Sequence, residues 1–135
     1  MGLINTMRVS ASGLSAERLR MDLIADNLAN ANSTRTPEGG PYRRKVAVFE
    51  PITPTASMPG GVRVVGIAHD PAPPRLVYQP GHPDADPNGY VAYPNVEMVH
   101  EMVDLITASR AYEANIQAFN AAKNMVLRTL DIGRV

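Results

Sequence analysis

The stretch Ala25–Lys45, ADNLANANSTRTPEGGPYRRK, marks the place where an N-terminal helix gives way to irregular chain. It contains Asn27, Asn30 and Asn32, and asparagine is unfavourable inside a helix but favourable at its end. Asn32 and Ser33 are therefore predicted to end the helix. The proline and glycine residues that follow prevent it from continuing.

Proline divides the chain into three segments. All 12 prolines lie between Pro37 and Pro94, and together with the glycines they make up about a third of that stretch. Residues 1–33 and 96–135 are predicted to form long helices, and residues 34–95 a middle segment rich in proline and glycine. The runs KVAVFE, GVRVVGI and RLVYQ in the middle segment predict short β-strands in a hairpin or small sheet.

Both helical segments carry apolar heptad repeats, which are typical of helices that pack along their length on another helix. Because a folded-back middle segment joins them, we expect the helices to pair as an antiparallel coiled coil. Matching the large side chains gives pairs whose residue numbers add up to about 133, such as Leu14 with Phe119 and Met21 with Tyr112. The predicted intrachain seam comprises Ile4, Met7, Leu14, Met21, Leu28, Leu105, Tyr112, Ile116, Phe119, Val126 and Leu130.

The predicted fold is mainly α, yet its apolar residues are too numerous for a two-helix seam. The surplus consists of Leu3, Val9, Leu23, Ile24, Val99, Val103, Ile106, Val126 and Leu127. Either the middle segment or other chains must cover them, and we expect other chains to do so.

The composition excludes several kinds of partner and site. The 13 basic and 13 acidic residues balance, which gives no reason to propose nucleic acid or an anionic membrane as a partner. The absence of cysteine excludes disulfides and thiolate metal sites. Charges such as Arg8 and Glu17 argue against a signal-peptide core or a membrane span near the N-terminus. Gly2 and Thr6 fit a myristoylation pattern, but helix packing also explains the apolar residues around them.

The stretch HEMVD, His100–Asp104, is close to a zinc-protease helix motif. That motif needs a second histidine where this chain has Asp104. A charged helix face is the preferred interpretation, and a metalloenzyme built on His100 and Glu101 is the alternative. No catalytic residue, metal site or cofactor is predicted.

Two loop motifs have both a structural and a ligand-binding interpretation. Asp84–Gly89 is similar to the opening of a calcium loop, but Asn95 stands where the closing glutamate is needed. We therefore prefer a tight turn, with a positive φ supplied by Asn88-Gly89 and aspartates that cap local amides. The basic run YRRK, Tyr42–Lys45, is interpreted as the solvated start of a strand, with phosphate binding as the alternative.

Several of these stretches together resemble a known family. ADNLANANS, followed by TP and PYRRK, is similar to the motif of flagellar rod and hook axial proteins, which reads roughly NLANxxTPGY(K/R)R. From PGHPDADPNGYVAYPN to NMVLRTLDIG, the second half resembles proximal-rod subunits nearly throughout. The resemblance is weakest in residues 46–80, and TPEGGPY replaces the shorter TPGY of many axial proteins.

This resemblance implies a structural subunit of the bacterial flagellar basal-body (proximal) rod, without catalytic activity or cofactor. Such subunits polymerise into the periplasm-spanning drive shaft that transmits torque and surrounds the export channel. Type III export without a cleavable signal peptide is implied. Further copies, other rod proteins, the MS ring and the export gate are the implied partners, with no nucleic acid and no direct membrane insertion. A coiled-coil adaptor is the alternative, which explains the heptads but not the asparagine-rich helix end.

The family motif also implies a set of motif positions and subunit contacts. They are Asn27, Leu28, Asn30, Asn32, Pro37, Tyr42, Arg43, Gly89, Tyr90, Asn95, Arg110, Tyr112 and Asn115. Asn27 and Asn30 lie off the apolar stripe of the helix, so we expect their amides to face a neighbouring subunit. Replacing both should then leave the fold of the single chain intact.

Overall fold

Two long helices at the ends of the chain enclose four short strands. The computed structural model describes residues 2–56 and 58–134, so positions 1, 57 and 135 of the predicted segments lie outside it. The elements are α1 Gly2–Ala29, β1 Lys45–Ile52, β2 Gly61–His69, β3 Arg75–Tyr78, β4 Tyr90–Tyr93 and α2 Met98–Ile132. The predicted long terminal helices and short strands are confirmed, and β4 is an additional strand. Neither of these two helices is long and apolar enough to cross a membrane.

The strands form two separate antiparallel hairpins, β1 with β2 and β3 with β4. A bulge interrupts the first hairpin between Val48 and Phe49. This hairpin packs on α1, where the Ser12 hydroxyl accepts a hydrogen bond from the Val62 backbone amide at 3.1 Å. The first hairpin therefore covers one side of α1 and leaves α2 to cover another.

The two helices pack on each other in antiparallel directions, in a register that differs from the predicted one. The Ser109 hydroxyl lies 3.5 Å from Met21 Sδ, and a Cβ added to Gly13 would lie 2.9 Å from Asn115 Nδ2. The residue numbers of these pairs add up to 130 and 128. The predicted sum of about 133 was therefore wrong by about one helical turn.

Small and polar side chains occupy the centre of the helix pair, which explains the shift in register. On α2 the heptad-spaced Glu101, Ala108 and Ala122 are buried, and Asn115 is half-buried. Small side chains let two helices approach closely, so the register follows them while larger residues flank the contact. Among the predicted seam residues, Met7, Leu14, Met21, Leu28, Leu105, Tyr112, Phe119 and Val126 are half-buried, whereas Ile4, Ile116 and Leu130 are exposed.

Two of the surplus apolar residues are covered by the chain itself. Leu23 is 8% exposed and Ile24 5% exposed, and both line a small cavity with Val46 and Ala47 of β1. The expectation that other chains cover them was therefore wrong, because the first hairpin folds back over this side of α1. Five other surplus residues remain exposed: Val9, Val99, Val103, Ile106 and Leu127.

Candidate functional site

A cluster of polar side chains joins the end of α1, the start of β1 and the start of α2. We call this cluster the polar junction, and it consists of Asn27, Tyr42, Arg44, Lys45 and Glu101. Asn27 and Glu101 are each only 1% exposed. Burying an amide and a carboxylate is unfavourable unless both are hydrogen-bonded. The hydrogen-bond partners of these two side chains therefore show which segments of the chain the junction connects.

Asn27 uses both ends of its amide within the chain. Its Nδ2 donates to the Lys45 carbonyl oxygen at 2.9 Å and to Glu101 Oε2 at 3.3 Å. Its Oδ1 accepts from the Tyr42 hydroxyl and from the Lys45 backbone amide, both at 2.9 Å. The prediction that the Asn27 amide faces a neighbouring subunit was therefore wrong, because its partners lie within the chain. The chain turns back after α1 and places Lys45 beside this amide.

Arg44 lies among three carboxylates and ties β1 to α2. Its Nε donates to Glu101 Oε1, while Nη1 and Nη2 lie 3.4 Å from Asp70 and 3.5 Å from Asp104. Burial of the guanidinium acts to lower its pKa. The hydrogen bond and charge of Glu101, together with the charges of Asp70 and Asp104, outweigh burial and raise the Arg44 pKa above its ordinary value. Arg44 therefore supplies the fixed positive charge that a buried Glu101 requires.

Tyr42 and Lys45 extend the junction to Asp26 in the last turns of α1. Lys45 Nζ lies 2.8 Å from Asp26 Oδ2, and the Tyr42 hydroxyl is 3.3 Å from the same oxygen. The hydrogen bond from Lys45 holds the pKa of Asp26 below its usual value. Burial raises the pKa of Tyr42 to about 12, and the charge of Asp26 acts in the same direction. The interpretation of YRRK as a solvated strand start was therefore wrong for Tyr42, Arg44 and Lys45.

Asn95 fastens the segment before α2 to the segments on either side of the first hairpin. Its Oδ1 accepts a hydrogen bond from the Arg44 backbone amide at 3.2 Å, and its Nδ2 donates to the Ala72 carbonyl at 3.2 Å. The Asp70 amide donates in turn to the Arg44 carbonyl at 2.8 Å. The backbone around Arg44 is thus fixed as firmly as its side chain.

The Asp84–Gly89 loop is a tight turn, as predicted. Asp86 Oδ1 accepts hydrogen bonds from the Asn88 and Tyr90 amides, both at 2.9 Å. Gly89 has a φ of 85°, which only glycine adopts readily. Asp84 forms an ion pair with Arg35, and this hydrogen bond lowers the pKa of Asp84. The aspartates thus stabilise the turn and tether it to the segment after α1.

The HEMVD stretch does not form a metal centre. His100 is exposed and pairs with Glu97 at 3.1 Å, whereas Glu101 belongs to the polar junction. Across residues 2–56 and 58–134, no group of three or more His, Cys, Asp or Glu side chains could hold a metal ion. The prediction that Glu101 lies on a charged outer face was wrong, because this side of α2 faces Arg44.

The other predicted motif positions lie in several environments. Asn30 donates to the Asp26 carbonyl at 2.9 Å and accepts from Ser33 at 3.2 Å, so it caps the end of α1. Leu28, Tyr112 and Asn115 are half-buried, and Gly89 is buried. Asn32, Pro37, Arg43, Tyr90 and Arg110 are exposed, and their proposed subunit contacts stay predictions.

Arg44, Lys45 and Glu101 are the junction residues that the predicted set of motif and contact positions did not contain. One signal was present in α2. Glu101 begins a heptad whose later members are the small or neutral residues Ala108, Asn115 and Ala122. A single carboxylate within such a stripe faces the partner helix and needs a cation there.

Comparison with known families shows similarity at both ends of the chain. Residues 7–35 match the family described as Flagella basal body rod protein, and residues 88–132 match Flagellar basal body rod FlgEFG protein C-terminal. These matches contain Asn27 and Glu101, the two buried polar residues of the junction. They define the class of protein as a component of the flagellar basal-body rod.

Relatives named Flagellar basal-body rod protein FlgC match nearly the whole chain. The protein from Yersinia enterocolitica is 47% identical, with 99% of this chain and 100% of the relative covered. The relatives from Salmonella typhimurium and Bacillus subtilis are 46% and 39% identical, with the same coverage of both chains. The chain belongs to the FlgC family of flagellar basal-body rod proteins. It is a structural rod subunit that associates with other rod components, and it is not an enzyme.

Proposed function

We propose that the chain is a proximal-rod subunit that polymerises into the drive shaft, transmits torque and surrounds the export channel. In this proposal residues 1–33 and 96–135 form the axial part as an antiparallel coiled coil, and residues 34–95 form a middle segment, rich in proline and glycine, with short strands. The partners are further copies, other rod proteins, the MS ring and the export gate. The chain reaches the periplasm-spanning rod by flagellar export, without a cleavable signal peptide.

The observation that carries this proposal is a helix pair whose two helices are hydrogen-bonded to each other and whose outer surface is apolar. The polar junction fixes the two helices to each other through Asn27 and Glu101. Large apolar side chains on α2 nevertheless remain exposed, among them Val99 at 66% and Ile106 at 55%. Exposed apolar surface of this kind marks a protein contact site. A subunit whose helices are joined by buried hydrogen bonds, and whose exposed apolar side chains can pack on neighbouring subunits, suits a polymer that must carry load.

Deletion of the gene followed by complementation tests the proposed position in the rod. Electron cryotomography of the deletion strain should show MS rings without an attached rod, and the cells should not swim. The full chain should restore both rod and swimming. A partial rod that remains attached to the MS ring would contradict a proximal position.

A second measurement tests the proposed export route. Basal bodies purified from the complemented strain should contain the chain with its N-terminal helix intact, as judged by mass spectrometry of the N-terminal peptide. A mature chain that begins within or after α1 would contradict export without cleavage.

A further inference from the structure

The helix pair exposes one face on each helix, on the side away from the other helix. The α1 outward face consists of Ala11, Ser15, Arg18, Asp22, Ala25 and Ala29, all exposed. The α2 outward face consists of Met102, Val103, Ile106, Arg110, Glu113 and Gln117, also all exposed. At 3.6 residues per turn, the α2 positions lie about half a turn from Ala108 and Asn115, which face α1. These two faces therefore look in opposite directions from one chain.

The charges on the two faces are complementary in one orientation only. Among the residues that the structure describes, Arg18, Asp22, Arg110 and Glu113 take part in no ion pair. If the α2 outward face meets an α1 outward face in antiparallel directions, Arg18 meets Glu113 and Asp22 meets Arg110. Parallel directions would instead bring the two arginines together and the two acids together. Attraction in one orientation and repulsion in the other is how charged interfaces select a geometry.

The apolar residues fit the same register. It places Ile106 against Ala25 and Val103 against Ala29, so large side chains of one helix meet small ones of the other. Small residues allow the close approach that ridges-into-grooves packing needs. The numbers in these pairs add up to 131 and 132, as they do in the two charged pairs. The contacts within one chain give similar sums, 128 and 130.

We infer that the α2 outward face packs on the α1 outward face of a second copy of this chain. This inference rests on the function proposed above, because it names the contact by which copies add to one another. Two different faces meet, so every copy keeps one free face on each side and the contact is heterologous. The residue numbers of paired positions add up to 131 or 132 between copies and to 128 or 130 within one chain, a difference of 1 to 4 residues. At 1.5 Å per residue, neighbouring copies are therefore displaced along the helix axis by about 2–6 Å.

Disulfide trapping tests the contact directly, because the natural chain has no cysteine. The purified full-length chain carrying Ser15→Cys and Gln117→Cys places one thiol on each outward face. Within one chain these positions lie on the far sides of two packed helices, beyond the Cα separation of about 7 Å that a disulfide tolerates. Mild oxidation should therefore give a ladder of dimers, trimers and larger products. Each single-cysteine variant should stay monomeric.

Other products would overturn the inference. Dimers from Gln117→Cys alone would mean that two α2 faces meet in a symmetric contact. The same double variant should give the self-ladder when it is the only copy in flagellated cells. A cross-link to a different rod protein, without the self-ladder, would assign the faces to another partner. Monomers alone, in solution and in cells, would also refute the contact.

Charge reversal supplies a second test with a matched control. Arg18→Glu and Glu113→Arg should each weaken self-association of the purified chain about tenfold at low salt, because each turns an attraction into a repulsion. The two changes in one chain should restore association, since the new charges attract again across every contact. Lys123→Glu makes a similar reversal on α2 away from the outward face and should have little effect.

The combined variant also separates this inference from the proposed function. If the natural chain restores rod assembly in the deletion strain but the combined variant is no better than either single one, the contact is wrong and the function stands. If the deletion strain builds a complete rod, the proposed function itself fails.

Discussion

Replacing Asn27 by alanine should destabilise the single chain strongly, although the residue is neither apolar nor part of the predicted seam. The side chain makes four hydrogen bonds, to Lys45 twice, to Tyr42 and to Glu101. A net value of about 0.5–1.5 kcal/mol per bond gives about 2–6 kcal/mol in total. The Tyr42 hydroxyl keeps Asp26 as a partner at 3.3 Å, which recovers a part. We expect a loss of about 3–5 kcal/mol in the free energy of unfolding, a large share of the 5–15 kcal/mol typical of a domain.

Urea unfolding of the purified chain, followed by far-ultraviolet circular dichroism, measures this loss as a shift in midpoint at unchanged slope. Asn30→Ala is the matched control, since this half-buried amide only caps the helix end and its loss should cost about 0.5–1.5 kcal/mol. Asn27→Asp provides a sharper version, because it puts an oxygen where Nδ2 now lies 3.3 Å from Glu101 Oε2. Its stability should improve as acid protonates one of the two carboxylates.

The reasoning would be refuted by a loss for Asn27→Ala no larger than that for Asn30→Ala. Such a result would mean that water replaces the amide in the junction at little cost. An Asn27→Asp variant as stable as the natural chain at neutral pH would contradict the short contact with Glu101.

Three further predictions concern stability in urea titrations. Arg44→Met should cost about 3–5 kcal/mol by leaving Glu101 buried without its cation, and adding Glu101→Leu should recover part of the loss; no recovery would contradict the buried pair. Burial raises the pKa of Tyr42 from 10.0 to about 12, so its contribution is complete below pH 10 and is lost as the pH rises towards 12. Between neutral pH and pH 12, the free energy of unfolding should therefore fall less in Tyr42→Phe than in the natural chain. An equal fall in both proteins would contradict this prediction. Gly89→Ala combines a φ of 85° with a new Cβ 2.8 Å from an aromatic ring, and should cost about 1–3 kcal/mol. Gly66→Ala, which has open space around it, should change stability by less than about 0.5 kcal/mol, and equal effects of the two would exclude the steric argument.

Local signals in the sequence predicted both helices and three of the four strands that the structure describes. The proline and glycine content of the middle segment ruled out a long helix there, and asparagine predicted the end of α1 within a few residues of Ala29. Alternation of apolar residues located β1, β2 and β3. Strand β4 was missed because its four residues stand between a tight turn and Pro94, and four residues carry little periodicity.

The register and the junction depend on contacts between distant residues, which local patterns do not encode. The predicted register was based on the large side chains of the heptads, but in the structure the small side chains determine how closely the helices approach. The position of Asn27 off the apolar stripe led to the prediction that its amide faces a neighbouring subunit. Its partners lie 15, 18 and 74 residues further along the chain, so no local pattern could identify them. Family resemblance identified the class of protein correctly without revealing this network.

The antiparallel arrangement has a mechanical consequence, because the start of α1 and the end of α2 lie at the same end of the helix pair. Gly2, Leu3 and Leu130 line one apolar groove there, whereas the polar junction lies at the opposite end. A pull on the two termini would load the helix contacts one after another, as in a zipper, and would reach the junction last. A load applied along the sides of the helices would strain all of those contacts at once, in shear. The helix pair should therefore yield readily to tension at its termini and resist force applied along its sides.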